Sequence, residues 1–237
     1  MNLEIIENII LSNPLQKYKP FYLLKEYYKL EGFQIMQASA KAEANLERFI
    51  EIVQSNINFS IKENLACLYE TISNAIVNVN LDYFKVKTIW NELQNLTWQN
   101  FEDFCAGLMR KSFGASSVNV TQRTADMGLD FSGIIPFKSA HSNVPFSNIE
   151  FFGQAKKYAG NVGRGDVDAF TAFANRQKRD NRYPAQLFIF CTTSDFIASA
   201  KSEISKNHFI AINGFQIATI VYNESEKEGM DAIKEFL

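Results

Sequence analysis

Asp130, Gln154 and Lys156 are the residues whose types and spacing could do chemistry together. Asp130 ends the segment Asp126-Met127-Gly128-Leu129-Asp130 and opens an apolar run. Gln154 and Lys156 end the next run, Phe151-Phe152-Gly153-Gln154-Ala155-Lys156. Side chains alternate along a strand, so Gln154 and Lys156 share a face and Ala155 points the other way. A carboxylate, an amide oxygen and an ammonium then converge at one sheet edge. Mg²⁺ prefers oxygen ligands, keeps several waters and takes one or two carboxylates beside a substrate phosphate. Asp130 and Gln154 are suitable donors. Lys156 would orient a water and help deprotonate it, or hold the phosphate.

Other chemistries lack material. The only histidines are His141 and His208, too few for a histidine-metal nuclease or a Ser-His-Asp hydrolase. No Walker-type phosphate loop is present. Cys67, Cys105 and Cys191 lie far apart with no CxxC, and read as buried thiols rather than a zinc site or a disulfide framework. Net charge is −2, so nothing global announces nucleic acid. Locally, Lys156, Lys157, Arg164, Arg176, Lys178, Arg179 and Arg182 crowd one stretch against Asp166, Asp168 and Asp180. Two readings stay open for this run: a solvated helix face, or a DNA-contacting surface made by Lys157, Arg164, Arg176, Lys178 and Arg179.

The elements that must position these residues follow from apolar periodicity. Thr97 is a good N-cap, with Leu96 and Phe101 spaced for a hydrophobic staple. The helix it starts buries Phe101, Phe104, Cys105 and Leu108 and ends at Gly114. Glu102 lies beside that stripe. It either reaches inward as an outer carboxylate or simply favours the positive helix N-terminus. Strands follow at 117–122, 129–137 and 149–158. Asp126 reads as a turn residue before Gly128. Asp166 reads as the N-cap of the next helix, which buries Val167, Phe170, Phe173 and Ala174. The continuous apolar run 186–192 predicts a central strand covered on both faces. Ser194 is expected to cap a helix to about Lys206. Asn213-Gly214 is a hairpin turn signal, predicting strands at 209–212 and 215–222.

Residues 1–95 read as an all-α domain for substrate selection or dimerisation. Leu3, Ile5, Ile6, Ile9 and Ile10 recur at helical spacing. A second helix is predicted from Phe21 to Leu30, ending near Gly32, and a third over 40–53. Asn56 to Ser60 reads as a loop, and Leu65, Leu68, Tyr69, Ile72 and Ile76 as a helical stripe. A last helix covers Lys85 to Leu93. The domain boundary is expected near Asn95, with a catalytic domain over 96–237. No apolar run of about 18 residues is present, and Glu4 and Glu7 interrupt the first apolar stretch. A soluble, cytoplasmic protein with no membrane contact is the expectation.

From Leu96 to Tyr222 the chain resembles the Mrr-like restriction endonucleases of the PD-(D/E)xK nuclease superfamily. The resemblance rests on Leu96-Thr97-Trp98-Gln99-Asn100-Phe101-Glu102, Gly114, Asp126 to Asp130, Gln154-Ala155-Lys156-Lys157-Tyr158, and Phe188-Ile189-Phe190-Cys191-Thr192-Thr193-Ser194. It implies an α/β (α+β) restriction-endonuclease-like fold, a mixed sheet flanked by helices. It implies Asp130, rather than Asp126, as metal ligand, with Gln154 and the backbone carbonyl of Ala155 beside it and Lys156 at the reacting phosphate; Glu102 is the candidate outer carboxylate. Gln154 stands where Glu or Asp is usual, a variant typical of Mrr-like members. Mg²⁺ is the implied cofactor, with Mn²⁺ able to substitute. Implied partners are double-stranded DNA, a second copy in a homodimer, and an additional specificity subunit. Defence against foreign DNA is the implied role. Two rival readings remain: an inactive DNA-binding or assembly module keeping the fold, and a structure-specific repair nuclease or Holliday-junction resolvase.

Overall fold

The computed structural model describes residues 1–121, 128–138, 145–178 and 185–237. The chain divides into two compact units, Met1–Lys85 and Val86–Leu237.

The first unit holds α1 (Leu3–Ser12), β1 (Lys17–Tyr18), α2 (Pro20–Leu30), α3 (Ile35–Ala44), α4 (Leu46–Lys62), β2 (Tyr69–Ile72) and β3 (Val77–Val79). Ile6, Ile10, Leu23, Leu24, Phe49 and Val53 fill its core. Pro20 sits in the first turn of α2, where its missing N–H costs nothing, and Gly32 follows the helix at φ 92°. The all-α expectation needs correction here, because β1, β3 and β2 form an antiparallel sheet in that order. The stripe from Leu65 to Ile76 is not helical. Ser73 accepts the amides of Ala75 and Ile76 on its hydroxyl, and that turn folds the segment back as two strands. Short apolar runs satisfy helix and strand spacing alike, and β-branched Thr71, Ile72, Ile76, Val77 and Val79 tip the balance. Residues 56–60 continue α4 rather than looping, and the third predicted helix is broken at Asn45 into α3 and α4.

The division falls within α5 (Asp82–Leu93). The second unit continues with α6 (Trp98–Lys111), β4 (Ser117–Val120), β5 (Phe131–Lys138), β6 (Pro145–Lys156), α7 (Arg164–Gln177), β7 (Ala185–Thr192), α8 (Ala198–Asn207), β8 (Ile210–Ile212), α9 (Gly214–Glu224) and α10 (Gly229–Lys234). Thr97 caps α6 by accepting the Asn100 amide at 3.1 Å, and Gly114 (φ 66°) follows its end. The sheet runs β4-β5-β6-β7-β8. The β4/β5 and β5/β6 pairs are antiparallel, and β6/β7 and β7/β8 are parallel. It is the expected mixed sheet flanked by helices. One face packs Phe152, Phe188 and Phe190 on Phe170 and Phe173 of α7. On β5 and β6, Phe131 and Phe151 meet with ring centroids 6.3 Å apart. They point opposite to Phe152, toward the face that α6 covers. No described helix is long and apolar enough to cross a membrane.

Three local expectations change. Asn213-Gly214 is not a hairpin turn. Asn213 caps α9, accepting the Gln216 amide at 2.9 Å while Gln216 accepts the Asn213 amide at 2.9 Å, so 215–222 is helix. Gly214 lies against the Thr193 carbonyl, and an added Cβ would sit 2.0 Å from that oxygen. Ser194 does not cap α8, which starts after Ile197. Its hydroxyl faces that of Thr192 instead, at 3.1 Å. Asp166 lies inside the first turn of α7, Gly163 being the cap, and accepts the Tyr158 hydroxyl at 2.9 Å.

Candidate active site

The start of β5 and the ends of β6 and β7 meet at one edge of the sheet. Their register sets Phe131 opposite Gly153 and Lys156 opposite Thr192. One residue before β5, Asp130 donates its amide to the Gly153 carbonyl at 2.9 Å. Its side chain then does what a backbone carbonyl would do in a continued ladder. The Ala155 amide donates to Asp130 Oδ2 at 2.7 Å. A strand residue presents its N–H and C=O to the same neighbour, so the Ala155 carbonyl shares that edge.

Gln154 is 2 % exposed. Among the described residues its Oε1 is buried without a hydrogen-bond partner. Its Nε2 lies over Gly128, where an added Cβ would approach to 2.9 Å. Gly128 itself has φ 93°, a conformation that suits glycine. An orphaned buried amide oxygen costs free energy unless something fills it. Lys156 is half-buried on the same face of β6 as Gln154. Among the described residues its ammonium has no ion-pair or hydrogen-bond partner.

Glu102, in the first half of α6, is half-buried. Its relation to Asp130 shows through Cys105. Burial pushes the Cys105 thiol well above its ordinary range, its contact with the Cys191 thiol adds to this, and the charges of Asp130 and Glu102 act in the same direction. Both carboxylates therefore lie close enough to bear on one buried thiol. Cys105 and Cys191 are buried, as expected, whereas Cys67 is only half-buried; all three are free thiols. No group of three His, Cys, Asp or Glu side chains able to hold a metal occurs among the described residues. A cation here would rest on Asp130, the Gln154 and Ala155 oxygens, and Glu102. A few carboxylates with neutral oxygens and retained waters suit Mg²⁺ and not a thiolate- or imidazole-bound metal.

Among the described residues, the basic run is spread along α7. Lys157 directly follows β6, and Arg164 opens α7. Arg164 is paired with Asp168 and Glu203, each at 3.4 Å. Arg176 and Lys178 lie at the other end of α7, about 18 Å further by helical rise. There Lys178 sits over the rings of Phe188 and Phe209, at 5.3 and 5.9 Å from the centroids. Arg179, Arg182 and Asp180, like Asp126 and His141, lie outside the described residues. His208 closes α8 in a left-handed conformation (φ 57°).

Beyond the cap expected of Ser194, the sequence points to no role for Thr192-Thr193-Ser194. All three are buried, at 0, 0 and 8 % exposure. The Thr192 hydroxyl donates to the Lys156 carbonyl at 2.8 Å, and the Thr193 amide reaches the same oxygen at 3.3 Å. The available signal was a polar triplet directly after the apolar run Leu187 to Cys191.

A family model described as restriction endonuclease (Mrr_cat) matches residues 93–221, more than half of the 237-residue chain. No curated protein matches the sequence. Among solved structures, the chain is similar to the MspJI restriction endonuclease in complex with a 27-mer oligonucleotide. Identity is 20 %, coverage is 60 % of this chain and 31 % of that one, and the TM-score is 0.40. It is also similar to the DNA modification-dependent restriction endonuclease AspBHI. There identity is 13 %, coverage is 73 % and 59 %, and the TM-score is 0.47. The chain spans less than two thirds of the length of either.

Proposed function

The chain belongs to the restriction endonuclease family, and we propose that it is a Mg²⁺-dependent DNA endonuclease acting in defence, with Mn²⁺ able to substitute. The observation that carries this reading is the pairing of Asp130 with the Ala155 amide beside a buried Gln154 oxygen that has no partner among the described residues.

Asp130, the Gln154 amide oxygen and the Ala155 carbonyl would hold the cation, with Glu102 as the outer carboxylate. When bound, Mg²⁺ supplies Lewis-acid stabilisation of the phosphoryl oxygens and acidifies a water. Lys156 carries its charge to the reacting phosphate and orients the attacking water. The Ala155 N–H fixes one of the Asp130 carboxylate oxygens. Gln154 adds an oxygen without charge, so metal affinity is lower than with a carboxylate and Glu102 matters more. Lys157, which directly follows β6, and Arg164, which opens α7, would meet DNA phosphates. Arg176 and Lys178 would meet the duplex only along a longer footprint. Cutting both strands of a duplex takes two such sites, so the working form is a homodimer, with room for a separate specificity subunit.

Supercoiled plasmid, methylated and unmethylated, is incubated with Mg²⁺, Mn²⁺ or EDTA, using wild type and Lys156→Ala. Metal-dependent cutting that disappears in the variant supports the reading. Cutting that survives Lys156→Ala refutes the site. Duplex binding that weakens steeply with salt but never leads to nicking makes the chain a binding module. Far faster cutting of branched DNA makes it a resolvase.

A further inference from the structure

We propose that Thr192 is a positioning residue for Lys156, an inference that rests on the nuclease reading. A lysine side chain reaches its target through several rotatable bonds, so its useful position depends on where its backbone is anchored. Lys156 is the last residue of β6, and Asp130 braces that end of the strand from the β5 side at Gly153 and Ala155. On the β7 side its carbonyl has two donors, the Thr192 hydroxyl at 2.8 Å and the Thr193 amide at 3.3 Å.

The Thr192 hydroxyl is fully used. It donates to Lys156, accepts the Ser194 amide at 3.2 Å, and meets the Ser194 hydroxyl at 3.1 Å. Its neighbours fasten the anchor in turn. The Thr193 carbonyl accepts Trp90 Nε1 at 2.9 Å and also the Gln94 side-chain amide. The Thr193 hydroxyl donates to the Tyr158 carbonyl at 3.3 Å, two residues past Lys156. The Gly214 amide donates to the Ser194 carbonyl at 2.8 Å. The loop after β7 thus ties the lysine's strand end to α5 and α9. A displacement of about 1 Å at a reacting group costs on the order of a hundredfold in rate, so a buried anchor one residue across the sheet bears directly on turnover.

The test compares wild type, Thr192→Val and Thr192→Ser. Plasmid cleavage gives kcat and DNA affinity, and hydrogen exchange is followed along Ala155–Tyr158 and through β7 and β8. Acetylation of Lys156 is measured against Lys157 in the same protein. We expect Thr192→Val to lose at least tenfold in kcat with DNA affinity unchanged, and Thr192→Ser to stay within about twofold of wild type. Faster exchange in Thr192→Val should be confined to Ala155–Tyr158, and the Lys156 to Lys157 acetylation ratio should change at least threefold. Wild-type turnover in Thr192→Val overturns the proposal. So does a loss that Ser fails to rescue and that is accompanied by faster exchange throughout β7 and β8, which would mark a merely structural role. If wild type cuts no DNA in any metal, the nuclease reading fails by itself. Exchange and acetylation then still decide the anchor: an unchanged Lys156 ratio in Thr192→Val overturns it.

Discussion

The Asp130 carboxylate accepts the Ala155 backbone N–H at 2.7 Å, so a side chain continues the β5/β6 ladder where the backbone pairing stops. This separates two jobs of one residue. Asp130→Asn keeps an oxygen for the Ala155 amide but removes the charge. It should cut DNA at least a hundredfold more slowly and unfold within a few degrees of wild type. Asp130→Ala loses both, at a cost of about 1–3 kcal/mol in stability. Parallel cleavage assays and thermal melts check both variants. An Asp130→Asn enzyme that cuts normally would remove Asp130 from the chemistry.

Gln154→Glu restores a carboxylate where Gln154 is 2 % exposed. Without metal, a buried charge next to the Asp130–Ala155 contact should destabilise the unit by about 1–3 kcal/mol. Millimolar Mg²⁺ should recover most of it, and the metal-induced rise in melting temperature should exceed that of wild type. Equal rises in both proteins would take position 154 out of the ligand set.

Acid stability should trace in part to the surface carboxylate of Glu235. Lys111 first, and then Lys227, hold its carboxyl at about 2, below its ordinary 4.5. Lys111 reaches it at 2.8 Å and Lys227 at 3.1 Å. A carboxyl whose pKa is lower folded than unfolded stabilises the fold above about 4.5, and that contribution is lost as pH falls toward about 2. Melting temperatures of wild type and Lys111→Gln between pH 6 and pH 2 should therefore diverge at neutral pH and converge at the acid end. High salt should shrink the gap. A gap that widens on acidification would contradict this pairing.

Gly153→Ala should be among the most damaging single substitutions in the second unit. An added Cβ at Gly153 would lie 2.1 Å from the Phe131 ring, which is fully buried. Relief requires moving that ring, so a loss of about 3 kcal/mol or more is expected. Urea denaturation measures it. A change under about 1 kcal/mol would mean the ring has somewhere to go.

Much of the site was legible because its signals are local. Alternation alone puts Gln154 and Lys156 on one face, the apolar run before Thr192 marks a central strand, and Thr97 announces α6. What was illegible depended on distant partners. Asn213-Gly214 suits a tight turn and a helix N-cap equally well. The helix wins where Gly214 fits against the Thr193 carbonyl, with an added Cβ only 2.0 Å from its oxygen. Ser194 looks like a cap, yet its hydroxyl faces Thr192. The strands β2 and β3 hide in a helical stripe because a single serine turn reverses the chain. Basic residues adjacent in sequence were separated by the length of α7, which no composition window reports.

The close approach at Gly153 also shapes how genetic screens of this chain will read. It sits directly before Gln154, so on the proposed function a mutational scan scored by survival against phage would give it the same blank row as the candidate site residues beside it. Loss of folding and loss of chemistry are indistinguishable in such a map. Only a second scan scored by abundance, in which Gly153 variants vanish while Lys156 variants persist, separates the residue that makes room from the residue proposed to act on the phosphate.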